Sequence, residues 1–110
     1  MRQGILLTSH QIQTKATAKQ YNPSKHSEVV ADYSTASEAE VKDAIDSALN
    51  AKPAWEALPF ADRAAIFLKA ADLISSKYRY ELMALTMRGQ GKNAWQAEID
   101  AAAELCDFLR

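Results

Sequence analysis

The sequence predicts an α+β chain, in which a small β-ribbon in residues 1–35 precedes a helical part in residues 36–110. The ribbon is indicated by short runs of β-branched and aromatic residues that are separated by polar stretches. The helical part is indicated by apolar residues that recur at helical spacing from Ser37 onward. With 110 residues, the chain is long enough for one small domain and too short for two.

The predicted ribbon contains two or three short strands. Strand-forming runs lie at residues 5–8, 11–14 and 28–33, and the sequence Tyr-Asn-Pro-Ser at 21–24 is a turn signal. Since these runs offer few large apolar side chains and an isolated ribbon is only marginally stable in water, we expect the ribbon to pack against another element.

The first predicted helix begins at Ser37, which forms a capping box with Glu40. We expect it to end before the Lys-Pro pair at 52–53, because a residue that precedes proline avoids the helical region. Trp55 and Leu58 in the following linker would then fill the gap to the next helix. The apolar stripe of this helix consists of Val41, Ala44, Ile45, Ala48 and Leu49.

Two further helices are predicted between Pro59 and Gly91. Pro59 suits the first turn of the second helix, and the third is expected to close at the Gly-Gln-Gly sequence at 89–91. The apolar positions of the second helix are Phe60, Ala64, Phe67, Ala71, Ile74 and Tyr78. Those of the third are Tyr80, Met83, Ala84 and Met87.

The last predicted helix opens near Asn93 and runs to Arg110 without a stop signal, so its pattern looks interrupted. At 3.6 residues per turn, Glu98 falls within the apolar side of this helix. That side is formed by Trp95, Ile99, Ala102, Leu105, Cys106 and Leu109. The predicted core is Val41, Ile45, Leu49, Trp55, Phe67, Ile74 and Leu105, and we also expect exposed hydrophobic surface.

Composition narrows the classes of partner. The formal net charge is −1, which gives no electrostatic footprint for nucleic acid or an anionic membrane, and no apolar run approaches the length of a membrane span. The amino terminus carries too short an apolar run for a secretory signal and lacks the apolar helical face of a mitochondrial presequence. We therefore expect no nucleic-acid partner and no membrane partner.

Reactive and metal-binding residues are sparse. Cys106 is the single cysteine, so no internal disulfide can form, and its apolar neighbours favour a core residue over a nucleophile. His10 and His26 lack further ligands at metal-binding spacing. The Gly-Gln-Gly-Lys sequence at 89–92 departs from a phosphate loop, because a helix precedes it and Asn93 follows, and a turn between helices is the simpler interpretation. We expect no catalytic, metal-binding or cofactor-binding residue in this chain.

The order of motifs from residue 22 to residue 110 resembles the aldehyde dehydrogenase superfamily. The segments that carry the resemblance are NPSKHSEVVADYSTASEAEVKDAIDSAL, AW.AL, DRAAIFLKAADLI and GQGKNAWQAEIDAAAEL. The last of these resembles the Δ1-pyrroline-5-carboxylate dehydrogenase branch, whose members are also called L-glutamate γ-semialdehyde dehydrogenases. Residues 4–20 resemble the family more loosely.

The resemblance implies the amino-terminal portion of an aldehyde dehydrogenase-like α/β fold. It also implies NAD-dependent oxidation of L-glutamate 5-semialdehyde to L-glutamate in proline breakdown. In that family a Cys thiolate attacks the aldehyde, a hydride passes to NAD, and a Glu-activated water hydrolyses the thioester. The segments of the family that carry the nucleophile, the general base and the dinucleotide site have no counterpart here. We therefore expect this chain alone to be inactive and to bind no cofactor.

For Glu98 the resemblance implies a place near the aldehyde-binding pocket, and so a substrate-binding role. Physical reasoning leaves two alternatives, since a carboxylate among apolar side chains is costly unless it meets a partner or lines a polar cavity. In the first alternative Glu98 pairs with an Arg or Lys of another element. In the second it is exposed because this face is uncovered.

Two other functions fit the pattern less closely. The exposed apolar faces could serve a non-catalytic interaction module, which binds a partner or a dehydrogenase subunit or forms an oligomer. A self-sufficient helical domain of unrelated function is the remaining alternative. The family resemblance implies the mitochondrial matrix, and since no clear presequence is visible, the cytoplasm is the alternative.

Overall fold

A computed structural model describes the backbone of residues 2–3, 5–7 and 10–110 and the side chains of residues 12–110. Its described strands are β1 (Arg2–Gln3), β2 (Ile5–Leu7), β3 (His10–Ile12), β4 (Thr17–Asn22) and β5 (Lys25–Ser34). Its described helices are α1 (Glu38–Ala57), α2 (Phe60–Ser75), α3 (Arg79–Gln90), α4 (Ala94–Ala97), a π-helical segment (Glu98–Glu104) and α5 (Leu105–Leu109). The predicted order of a ribbon followed by helices is confirmed.

The described strands form two small sheets. In the first, β5 lies between β1, which is parallel to it, and β4, which is antiparallel. In the second, β2 pairs with β3 in antiparallel register. The prediction missed β4, because its sequence TAKQYN has little β-propensity and the strand owes its form to pairing with β5. Residue 8 of the first predicted strand lies outside the described residues.

The predicted turn joins β4 to β5. Asn22 lies opposite Lys25, so that Pro23 and Ser24 form the two-residue connection. The Ser24 backbone N–H donates to Asn22 Oδ1 at 2.9 Å. Asn side chains favour turns because they can accept such local hydrogen bonds.

The predicted capping box begins α1. The backbone N–H of Ser37 donates to Glu40 Oε2 at 2.6 Å, and the Ser37 hydroxyl completes the reciprocal arrangement. Hydrogen bonds from the side chain and the backbone of Ser37 hold the pKa of the Glu40 carboxyl below its ordinary value.

The end predicted for α1 is wrong. The helix continues through Pro53 to Ala57, although a proline in a helix interior removes a backbone donor and costs about 3 kcal/mol. The sequence on both sides has a helical preference that outweighs the local bias before proline. An ion pair between Lys52 and Glu56, with 3.4 Å from Nζ to Oε1, spans the proline. The predicted linker is thereby reduced to residues 58–59.

The predicted core is also wrong in most of its members. Val41, Ile45 and Leu49 are 50–59% exposed, because α1 packs closely against none of the other described elements. Trp55, Phe67 and Leu105 are likewise exposed, and Ile74 is half-buried. The expected exposed hydrophobic surface is therefore confirmed. Among the residues with described side chains, the buried apolar ones are Ala71, Ala97, Ala102 and Cys106.

The carboxyl end of α3 and the start of the last helix follow local signals. The helix passes through Gly89 and ends at Gly91, whose φ of 68° lies in the left-handed region that glycine favours. Asn93 then caps α4, since its Oδ1 accepts from the Gln96 N–H and its N–H donates to Gln96 Oε1, each at 3.0 Å. The predicted opening near Asn93 is confirmed.

The apolar face predicted for the last helix is wrong at its amino-terminal end. Trp95 and Ile99 are 79% and 55% exposed, whereas Ala97 is buried in their place. The π-helical segment causes this change, because its wider turns bring Ala97 and Ala102, five residues apart, onto the side that Cys106 also occupies. In a regular α-helix those two alanines would lie about 140° apart.

Two fixed contacts explain why the last helix needs a π-helical segment. At one end the left-handed turn at Gly91 packs on Pro23, so that it fixes how the chain enters α4. At the other end Cys106 Sγ donates to the Ala71 carbonyl oxygen at 3.4 Å, which fixes α5 on α2. The two ends are one residue out of step with a regular α-helix, and the segment takes up the extra residue.

Deleting one residue from this segment should therefore be tolerated. Removal of exposed Ile99, which lies between Ala97 and Ala102, leaves these two buried residues four positions apart, which suits a regular α-helix. Cys106 is the single cysteine, so its reaction with Ellman's reagent reports on packing. We expect the reaction to stay within about threefold of the parent rate.

The matched control is deletion of exposed Ala65 from α2, which is a regular helix. That deletion turns the following residues by about 100° and should expose Cys106, so that its reaction accelerates at least about tenfold. Equal acceleration in both deletion variants would contradict the proposed origin of the segment.

The two glycines near the end of α3 should respond in opposite directions to alanine. Gly91→Ala should lower the free energy of unfolding by about 1 kcal/mol or more, because φ is positive and the new Cβ would lie 3.1 Å from Pro23 Cγ. Gly89→Ala should raise it by about 0.5–1 kcal/mol, since this residue is helical and has open space around it. Urea unfolding followed by circular dichroism measures both, and a stabilised Gly91→Ala variant would refute the account of the turn.

Candidate functional site

Glu98 is the first residue of the π-helical segment, and it pairs with Arg79, the first residue of α3. Arg79 Nη2 donates to Glu98 Oε1, and the two side chains are 28% and 42% exposed. The alternative in which Glu98 meets a cation from another element is thereby confirmed. The substrate-binding role of Glu98 stays a prediction.

A second ion pair lies two residues further along the segment. Lys92 Nζ donates to Asp100 Oδ2, and both side chains are about one-third exposed. Lys92 thus has a carboxylate partner next to the turn that joins α3 to α4. The interpretation of residues 89–92 as the end of a helix and a turn is confirmed.

The tip of the β4–β5 hairpin is attached to the carboxyl end of α3 by polar contacts. Arg88 Nη2 donates to Glu28 Oε1, and Gln20 Nε2 donates to the Gly89 carbonyl oxygen at 3.1 Å. Asn22 also donates to Glu28, at 3.3 Å. Hydrogen bonds from Arg88 and then Asn22 hold the pKa of the Glu28 carboxyl below its ordinary value. Polar contacts therefore join the tip of the hairpin to the carboxyl end of α3, and the ion pairs of Glu98 and Asp100 lie further along the chain.

The cations Arg79 and Lys92 can hold the carboxylates of Glu98 and Asp100 in place. None of these side chains is a nucleophile for an aldehyde. Cys106 is 3% exposed, and its thiol is directed to the Ala71 carbonyl group. Within the described part of the chain, no three His, Cys, Asp or Glu side chains are grouped so that they could hold a metal ion. None of the helices in that part is both long and apolar enough to cross a bilayer.

Arg79 and Asp100 were not predicted as site residues from the sequence. Arg79 carries a usable signal, because a cation in the first turn of a helix opposes the helix dipole and so suggests a nearby anion. Asp100 has no comparable signal, since its partner becomes evident only when the π-helical register is known.

A family model described as the aldehyde dehydrogenase family matches residues 10–110. Among curated relatives, the mitochondrial Δ1-pyrroline-5-carboxylate dehydrogenase of Emericella nidulans is 58% identical over 106 residues, which are 96% of this chain and 18% of the relative. The human mitochondrial enzyme of the same name is 48% identical over 100 residues, 91% of this chain and 18% of the relative. The chain thus spans less than a fifth of the length of these relatives.

Solved structures give the same result. The Mycobacterium tuberculosis Δ-pyrroline-5-carboxylate dehydrogenase matches 99% of this chain and 20% of its own length, with a TM-score of 0.95 and 36% identity. The same enzyme has been solved with bound NAD. The 1-pyrroline-5-carboxylate dehydrogenase of Thermus with bound NAD matches 98% of this chain and 20% of its own length, with a TM-score of 0.92 and 32% identity. Because the family model matches residues 10–110 and the relatives agree with this chain in sequence and fold, the chain belongs to the aldehyde dehydrogenase family.

Proposed function

We propose that this chain supplies the amino-terminal part of an NAD-dependent dehydrogenase that oxidises L-glutamate 5-semialdehyde to L-glutamate, and that the chain alone is inactive. The observation that carries this proposal is the continuous 58% identity over 106 residues to an enzyme named Δ1-pyrroline-5-carboxylate dehydrogenase. Solved neighbours that hold NAD support the choice of cofactor.

Inactivity of the isolated chain follows from what aldehyde oxidation requires. A nucleophile, a general base and the nicotinamide must be held together around one carbonyl carbon. The one thiol, Cys106, is buried and directed to a backbone carbonyl group. Glu98, the carboxylate that we assign to the substrate side, is paired with Arg79.

We assign Glu98 a role at the substrate side of the complete enzyme. Its side chain is 42% exposed, so one face of the carboxylate is open, while Arg79 holds the other. A carboxylate fixed in this way can accept hydrogen bonds from a donor group on the substrate and so orient the aldehyde. The buried alanines beside it keep the helix backbone in a fixed place.

The relatives also bear on location and on a second function. Several of them are named as mitochondrial, which supports the mitochondrial matrix for the complete protein, with the cytoplasm as the alternative.

The uncovered apolar stripe of α1 supports association with a partner or a dehydrogenase subunit as the second function. That stripe borders a shallow cleft of about 520 Å³ lined by Ile45, Ala48, Leu49, Ala51, Lys52 and Trp55.

The proposed function is tested with a chimera in which residues 1–110 replace the matching segment of the Emericella nidulans enzyme. We expect NADH formation from glutamate semialdehyde and NAD by the chimera, and none above background by the isolated chain. The control is the same enzyme without its amino-terminal segment, which should be inactive. A folded but inactive chimera, or an isolated chain that binds the truncated enzyme without restoring turnover, would favour the interaction function.

The role of Glu98 is tested in the same chimera with Glu98→Ala and Arg79→Met. Both variants remove the ion pair, but only the first removes the carboxylate. We expect Glu98→Ala to lower kcat/KM for glutamate semialdehyde about tenfold, and Arg79→Met to lower it less. Equal small losses in both variants, with equal losses of thermal stability, would show that Glu98 acts only as an ion-pair partner.

A further inference from the structure

The rotational register of the last helix determines whether the Glu98 side chain lies in the packed face of the helix or at its edge. Counting back from buried Ala102 at α-helical spacing reaches Glu98, so a regular helix would place this carboxylate in the packed face. That placement is costly, because a buried carboxylate loses its hydration. In the structure Ala97 takes the packed position, and Glu98 lies at its edge.

The Lys92–Asp100 pair is placed to set this register. Lys92 directly follows Gly91, whose backbone is fixed against Pro23, and Asp100 is the third residue of the π-helical segment. The pair therefore joins the turn to the segment across the whole of α4. At 32% and 39% exposure it is less screened than the surface pair Lys52–Glu56, at 60% and 58%.

We propose that Lys92 and Asp100 are positioning residues for Glu98, because their ion pair holds the π-helical register that keeps the carboxylate out of the packed face. This inference rests on the proposed role of Glu98 at the substrate side. Neither Lys92 nor Asp100 pairs with Glu98 in the described structure. They differ in this from Arg79, whose loss changes both the position of Glu98 and its immediate charge.

The register itself is tested on the 110-residue chain by oxidative footprinting of Trp95. Trp95 is 79% exposed, and it lies seven residues before Ala102, where a regular helix would turn it toward the packed face. Trypsin releases residues 93–110 as one peptide with Trp95 as its single tryptophan, so tandem mass spectrometry can separate the oxidation of Trp95 from that of Cys106 and Phe108.

Asp100→Ala should reduce the oxidation rate of Trp95 at least about twofold. Glu56→Ala is the matched control, since it breaks an exposed ion pair on a helix that does not pack closely against the segment, and it should leave the rate unchanged. An unchanged rate in Asp100→Ala would overturn the inference.

The functional consequence is tested in the chimera by a double-mutant cycle. Asp100→Ala should lower kcat/KM about tenfold when Glu98 is present and less than about twofold in the Glu98→Ala background. The charge exchange Lys92→Asp with Asp100→Lys should recover most of the loss, since it restores an ion pair at the same place. It also guards against the case in which Asp100→Ala fails to fold.

An equal fall in both backgrounds would overturn the inference, because the pair would then act independently of Glu98. A Glu98→Ala chimera with normal kinetics would instead overturn the substrate role of Glu98. In that case the footprint of Trp95 still decides whether the pair sets the register.

Discussion

The close approach of Gly91 to Pro23 is the constraint on which the helical part depends. It fixes the end of α3 against the hairpin turn and, through the left-handed backbone of Gly91, the direction in which α4 begins. The contact of α5 with α2 at Cys106 fixes the other end of the same helix. Between two ends that are held, the helix must take up one extra residue, and the π-helical segment accommodates it.

That adjustment accounts for the odd position of Glu98 in the sequence. At α-helical spacing the carboxylate belongs to an apolar face, which is costly, whereas the widened turns bring Ala97 into that face. Glu98 and Asp100 then each meet a cation, Arg79 and Lys92. One extra residue in the helix therefore buries Ala97 beside Ala102 and keeps the Glu98 carboxylate out of the packed face.

The features that could be predicted from the sequence are those that residues close to one another in the chain determine. The capping box at Ser37, the opening of the last helix near Asn93, the left-handed end at Gly91 and the turn at Pro23 each depend on residues a few positions away. The missed features depend on distant partners or on a balance between opposing terms. The strand β4 forms only by pairing with β5. The helical preference on both sides of Pro53 outweighs the cost of a proline inside α1. The π-helical segment depends on the contacts of Gly91 with Pro23 and of Cys106 with Ala71. The Arg79 partner of Glu98 was missed for the same reason, although a cationic partner was one of the alternatives that the sequence left open.

The uncovered stripe of α1 has a consequence for how the chain is ordered. A helix of 20 residues that contains a proline and buries none of its side chains gains little from the rest of the fold. Its order is therefore coupled to whatever covers it, in the way that a ligand stabilises the state it binds. The population of ordered α1 should thus rise and fall with the concentration of the covering surface, which makes this helix the most responsive part of the described molecule.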